Sequence, residues 1–516
     1  MKNFFVLLIG LLLSFSGTAQ SCLPEGITFS TQNQIDSFPF HYPNCTKIEG
    51  DVRISGSNIT DLTRLSVLTS FGGDIYIEYC QLSNLMGLNS VTSITGNLNI
   101  ANCYAFTSLK GLENINSIGS LSIYTCNIFS SLTALHNLTS IENTLCIFYC
   151  PSLPSLTGLD SVTTINGGLK IIGCSSLKSL SPLKKLTSIG GELDIGNCHQ
   201  LTNLTGLNSL TSIGGRVLIE HCGSLTSLTG LENLTSIGGY LFIDSDGLYN
   251  FKGLKNVSSI GQSITIQNCN SLTSLEGLEG ITSIKGYDLT IDNCNLIYDL
   301  KGLNSVTSID GSLEITNCNS LQSLSGLGSV THIGKIDISC CYYLNSLSGL
   351  DNLRAIGGII YISDCNSLTT LTGLDNLEAA TIKQLKVFNN GSLSVCAVKS
   401  ICDYLARPNG TIEIHDNAVG CNSQAEVDTM CRHLSVENLT TIGRLSIFPN
   451  PASTSITIST PIKGSLSIIN LSGQELFTRQ NINTETVIDI STLPSGVYFV
   501  RLTGDKTVSV GKLLKQ

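Results

Sequence analysis

Ser188-Ile189-Gly190-Gly191-Glu192-Leu193-Asp194-Ile195-Gly196-Asn197-Cys198-His199-Gln200-Leu201-Thr202-Asn203-Leu204-Thr205-Gly206-Leu207-Asn208-Ser209-Leu210-Thr211-Ser212-Ile213 decides the fold, because the chain restates it many times over. Its skeleton is Leu-x-Ile-x-x-Cys-x-x-Leu-x-x-Leu-x-Gly-Leu-x-x-Leu-Thr-Ser-Ile-Gly-Gly. Cysteine marks the beat at Cys80, Cys103, Cys126, Cys150, Cys174, Cys198, Cys222, Cys269, Cys294, Cys318, Cys341 and Cys365. Successive beats lie 23 to 25 residues apart, except for the double step from Cys222 to Cys269, where Asp246 is expected to fill the gap. A fixed period of this size, with apolar residues at fixed phases, marks a solenoid.

Each Leu-x-Ile places two apolar side chains on one face of an extended segment, since side chains alternate along a strand. Leu201, Leu204 and Leu207 come three apart, a spacing that a helix also allows. Ser, Thr, Asn and Gly fill the block around them, however, and those residues favour turns over helix interiors. Each repeat therefore reads as one coil: a strand, a corner, an irregular arm and a second corner at Gly190-Gly191. One coil cannot bury its own leucines, so neighbours must stack into a continuous core. Charged residues make up only 13% of the chain and tryptophan is absent, which fits a thin aliphatic core in layers.

Two readings of the cysteine beat stand side by side. In one, the thiol is a small inward group that satisfies backbone in the corner, a role that Asp246 and Asn390 would share. In the other, stacked strands about 4.7–4.9 Å apart bring successive cysteines into disulfide range. A metal reading is weaker, because no paired C-x-x-C or fixed histidine accompanies the beat.

The skeleton resembles the receptor L-domain family and, through it, leucine-rich repeats. Its closest echo is Asn44-Cys45-Thr46-Lys47-Ile48-Glu49-Gly50-Asp51-Val52-Arg53-Ile54, which is similar to that family's opening motif. The resemblance covers about residues 44–390. It implies an all-β-dominated, leucine-rich-repeat-like β-solenoid of about 14 coils, and is nearly silent on ligand.

Taken in order, residues 1–20 read as a signal peptide: Lys2, an apolar run from Phe4 to Leu13, then Thr18-Ala19-Gln20. The run is too short for a permanent span, and no other stretch is long enough, so no transmembrane segment is expected in the mature chain. Residues 21–47 lack the repeat and read as an N-terminal cap, which Cys22 and Cys45 are placed to clip after export. The solenoid is expected over 48–390. Residues 391–435 carry Cys396, Cys402, Cys421 and Cys431 and read as a disulfide-clipped C-terminal cap of undetermined connectivity, with a short helix in 397–405. Asn-x-Ser/Thr at Asn137, Asn203 and Asn233 is taken as repeat wording rather than glycan sites.

After a linker at 436–444, residues 445–516 form a separate module of short alternating strands with Gly and Pro turns, an Ig-like β-sandwich. Its motifs include Phe448-Pro449-Asn450-Pro451 and Leu493-Pro494-Ser495-Gly496-Val497-Tyr498-Phe499-Val500-Arg501, and it ends on Lys512-Leu513-Leu514-Lys515-Gln516. In this order they closely resemble the type A sorting domain of the type IX secretion system of Bacteroidota. That resemblance marks Pro449, Asn450, Pro451, Gly496 and Tyr498 as the sorting motif. It implies Sec-dependent passage to the periplasm, the type IX machinery as partner, and delivery to the outer surface or beyond.

No catalytic set is legible. The seven histidines share no phase, and nucleophile-elbow, phosphate-cradling and H-E-x-x-H patterns are missing. A net charge of −10 argues against nucleic acid. No cofactor or metal is expected. The outward positions just after each strand's second apolar residue are more informative. They give an apolar stripe, Tyr124, Phe148 and Ile172, followed by an acidic one with Glu220, Asp244 and Asp292; calcium is a minor alternative for the second. The expected function is a secreted or surface module that binds a glycan or protein ligand. A β-helix polysaccharide-degrading enzyme and a passive surface protein are the alternatives.

Overall fold

The Leu-x-Ile words become strands. In the computed structural model, Leu193–Gly196 pairs in parallel with Leu169–Ile172 on one side and Val217–Glu220 on the other. Leu193 faces Leu169 and Val217, while Ile195 faces Ile171 and Ile219, so like residues stack on like. Residues 20–284, 286–434, 445–460, 464–482, 485–504 and 508–516 are described. The signal-peptide reading (all but its last residue) and the 436–444 linker lie outside them.

Parallel pairing of this kind runs from Ile27–Phe29, which pairs with Val52–Ser55, to Thr411–His415, which pairs with Gln384–Phe388. The solenoid has about sixteen turns rather than about fourteen. Both segments that read as caps contribute a strand, which accounts for the larger number. From Ser140–Ile141 to Ser259–Ile260 each coil has a second short strand at its Ser-Ile position. Ser188–Ile189 pairs with Thr164–Ile165 and Ser212–Ile213 in a separate six-stranded sheet. Threonine binds this edge together, because Thr187 donates from both its amide (2.9 Å) and its hydroxyl (3.1 Å) to the Thr163 carbonyl of the preceding coil.

Leu201, Leu204, Leu207 and Leu210 are all buried in the irregular arm, with no helix among them. Gly206 explains the arm's sharp bend. Its φ is +118°, and a Cβ there would lie 2.0 Å from the Leu180 carbonyl oxygen of the coil below. Only glycine permits both the angle and the approach. Where Ala134 or Pro182 takes this place, the chain makes a 3-10 turn instead, at Thr133–Leu135 and Ser181–Leu183. Asparagines of the repeat wording are structural: the Asn137 and Asn233 amides donate to the Glu113 and Asn208 carbonyls one coil earlier, at 2.8 and 2.7 Å.

The beat cysteines are free buried thiols. Cys198 Sγ donates to the Gly196 and Ile171 carbonyls at 3.4 and 3.6 Å, and Cys222 repeats the pattern one coil on. Asn390 does the same work with an amide, reaching the Phe388 and Ile362 carbonyls at 2.9 and 3.1 Å. Asp246 does not fill the missing beat. Ser245 does: it is fully buried and donates to the Cys222 carbonyl at 2.8 Å, whereas Asp246 is exposed. This corner lacks the left-handed residue that precedes cysteine elsewhere, such as Asn197 (φ +53°) or His221 (φ +51°), so the beat falls one residue early.

At the N-terminal end Cys22 is bonded to Cys45. At the other end Cys396 is bonded to Cys421, and Cys402 and Cys431 are also disulfide-bonded. A helix occupies Lys399–Ala406 and another Gln424–Leu434.

A second compact unit covers Thr429–Gln516. Its strands form two antiparallel sheets, one of Ser446–Phe448, Ser455–Ser459 and Glu485–Asp489, the other of Glu475–Ile482, Gly464–Ile469, Gly496–Thr503 and Val508–Lys515. Ile456, Ile458 and Ile488 from the first meet Leu466, Ile468, Val500 and Leu513 from the second in one core, which makes the unit a sandwich.

Candidate ligand-binding face

A strand that buries Leu193 and Ile195 must turn Asp194 and Gly196 outward. Parallel registration then sorts the outward residues into columns along the solenoid. One column runs Tyr124, Phe148, Ile172, Gly196, Glu220, Asp244, Gln267, Asp292 and Thr316, each paired with the next. All six outward residues named from the sequence therefore stand in a single file.

Along this file the chemistry changes. Tyr124 and Phe148 stack, with ring centroids 5.2 Å apart and planes 17° apart, and Ile172 follows; all three are half-buried. The acidic part is knitted to its neighbours. Asp244 Oδ2 accepts from Gln267 Nε2 and Asn268 Nδ2, both at 2.9 Å. Asp292 accepts from the Thr316 hydroxyl and from Asn317 Nδ2. Among the described residues no group of three or more His, Cys, Asp or Glu is placed to hold a metal. Farther along, Phe388 and His415 stack at 5.1 Å and Tyr361 meets Phe388 edge-on at 5.4 Å, a second aromatic cluster that sequence reading passed over.

A parallel column runs Ser122, Cys146, Lys170, Asp194, Leu218 and Phe242. Lys170 and Arg216 both pair with Glu192, the latter at 2.7 Å, and Arg216 also donates to the Tyr240 hydroxyl at 2.8 Å. Asp194 lies beside this network and outside it. Its side chain is only 7% exposed, and its Oδ1 has no hydrogen-bond partner. Burial, and next the nearby Glu220 carboxylate, push the Asp194 carboxyl above the usual range. Beside it Gly196 is also buried, and a Cβ there would meet only ordinary contacts at 3.5 Å from Ile172.

The sorting-motif residues sit in the second unit. Asn450 grips the last strand from both sides of its amide, donating to the Lys512 carbonyl at 2.6 Å and accepting from the Leu514 amide at 2.8 Å. Pro449 and Pro451 flank it, each after a cis peptide bond. Tyr498 is buried and donates from its hydroxyl to the Pro494 carbonyl at 2.7 Å, and Gly496 opens the same strand.

Comparison with known families matches the BspA type leucine rich repeat region in six copies over residues 100–217, 172–298 and 265–390, more than half of the chain. The chain belongs to the BspA type leucine-rich-repeat family. Ahead of and overlapping those repeats, residues 44–153 match the receptor L domain. Residues 446–516 match the secretion system C-terminal sorting domain. No curated protein matches the sequence. This BspA type repeat protein is therefore an export cargo of the type IX system, delivered to the cell surface or released, and these families imply a Bacteroidota origin. No helix among its described residues is long and apolar enough to cross a membrane.

Proposed function

We propose that this repeat protein is a binding or adhesion module, and that its outward strand face engages a glycan or protein ligand outside the cell. The single observation behind this is the file of outward residues from Tyr124 to Asp292, held in register by parallel pairing. A stacked aromatic pair and an isoleucine stand where a solvated strand face would carry polar groups. Contiguous apolar surface on an exported protein suits recognition, and aromatics contribute large contact area at small entropic cost. The type IX machinery is its partner during export, through the sorting unit; the ligand is a separate partner. A catalytic role has no support in a convergent set of groups.

Phe148→Ser tests the face. Binding of the exported chain to a glycan and protein array should fall about tenfold or more, while the melting temperature changes little. If the variant instead loses stability and keeps its binding, the stripe is a satellite core and the face assignment fails.

A further inference from the structure

Where the irregular arm bends at a left-handed glycine, the amide of that glycine needs an acceptor. In eight coils the residue two positions on, an Asn, Asp or Glu, turns back and accepts from it at 2.8–3.1 Å. Glu113 shows the full pattern. Its two oxygens accept from the Gly111 amide at 3.1 and 3.0 Å, and Oε2 also receives Asn89 Nδ2 of the preceding coil at 3.4 Å. Glu232 takes Gly230 and Asn208 in the same way. The wording breaks at Gly326-Leu327-Gly328, where the accepting residue has no side chain. Gly326 has the φ of +118° that Gly206 has, yet its amide finds no acceptor among the described residues. Asn304, in the coil before, likewise has no carboxylate ahead of it. A pocket of about 310 Å³ opens at this point, lined by Lys301, Asn304, Ser325, Gly326, Gly328 and Ser329. The Lys301 side chain is 69% exposed and pairs with Asp299 at 2.9 Å.

We propose that this pocket binds the carboxylate of a uronate residue in an acidic polysaccharide, whose oxygens take the place that Glu113 and Glu232 fill in their own coils. The Gly326 amide and Asn304 Nδ2 are the two donors that the repeat elsewhere directs at a carboxylate, and Lys301 adds a positive charge. Asp351 in the following coil does not bar an anion. Neighbouring carboxylates already coexist in this column, where Asp351 and Asp375 cap successive coils. No apolar side chain lines the walls. Ser325, Ser329 and Asn304 suit the hydroxyls of a sugar ring better than the aliphatic stem of an acidic peptide. All of these residues lie on the irregular arm and none in the file from Tyr124 to Asp292, so the site is separate from the strand face and stands without it.

Isothermal titration calorimetry of the full exported chain tests this with oligogalacturonate, oligomannuronate, oligoglutamate and neutral oligogalactan. At least one of the two uronate oligomers should bind, and the neutral one should not. Gly328→Asp writes the missing carboxylate back into the chain. Nothing lies within 4 Å of the added Cβ, and the backbone angle there is ordinary. This variant should weaken uronate binding about tenfold or more and raise the melting temperature, as an internal cap would. Gly328→Asn supplies the cap without the charge and should also weaken binding, which separates occupation of the pocket from simple repulsion. Gly328→Ala adds a methyl with no oxygen and should bind as the parent does. Uronate binding that both Gly328→Asp and Gly328→Asn leave intact overturns the site, and so does failure of both uronate oligomers to bind. Binding of oligoglutamate alone overturns the uronate assignment and gives the pocket to an acidic polypeptide.

Discussion

Asp194 is held at a cost that its replacement should reveal. The folded chain keeps its proton at pH values where the unfolded chain, with an ordinary aspartate, has released it. Its contribution therefore drains away as pH climbs from the unfolded value through the raised folded one, and at neutral pH the carboxylate destabilises. Asp194→Asn should accordingly raise the melting temperature at neutral pH and flatten its decline as pH rises above the ordinary aspartate value. Identical pH slopes for the two proteins would remove Asp194 as the source. Sequence inspection placed the outward file correctly in phase, because the strand period fixes which residues share a face. It did not single out Asp194: burial of an outward group depends on how the long side chains around it lie, and no spacing rule carries that information.

At the scale of one coil, glycine at Leu-x-Gly-Leu and the disulfides at the ends divide the labour. Gly206→Ala forces a left-handed angle on alanine and drives its Cβ into the Leu180 carbonyl, so it should cost about 1–3 kcal/mol or more. Gly223→Ala is the internal control, since its angle is ordinary and nothing lies within 4 Å of the added methyl. Chemical denaturation of the pair checks this, and equal midpoints would count against the steric account. Cys396 and Cys421 close the last coils, beside the strand Thr411–His415. Replacing both with Ser should cost about 2–5 kcal/mol and expose amides near Leu385 to hydrogen exchange before those of the central coils. Unchanged protection there would dismiss the clip. That final strand was hidden in the sequence for a physical reason. The beat passes from Cys365 to Asn390 and then to Asn417, whose amide donates to the Val387 carbonyl at 2.9 Å, and the step lengthens to 27 residues. A change of residue and a change of period together mask a coil that the backbone still makes. Ser245 was missed in the same way, by a corner one residue short.

For the whole molecule, architecture and address were legible and the ligand was not. Repetition amplifies any feature that every coil must share, such as the inward leucines or the Thr-Ser-Ile edge. A binding surface is the part that departs from repetition, and it appears once. The address is likewise a property of an entire folded unit, in which Asn450 pins the last strand from 62 and 64 residues away. A chain ending near residue 443 lacks this unit, so in a type IX-competent host it should accumulate in the periplasm. Its appearance at the surface in parental amounts, measured by protease shaving of intact cells, would show that the export signal lies elsewhere.

The population of cysteines places a demand on timing. Of twenty in the chain, fourteen end as thiols and six in disulfides. All but Cys340 of those fourteen are buried, and burial pushes the Cys174 thiol up to about 12, far from the thiolate that exchange chemistry needs. Protection of this kind exists only once coils have stacked. During passage through an oxidising compartment the nascent repeats are in a race: each coil must close over its sulfur before an oxidant pairs that sulfur with one of the many others. A solenoid built from local contacts suits such a race, because coils bury their residues against immediate neighbours and need not wait for the far end of the chain.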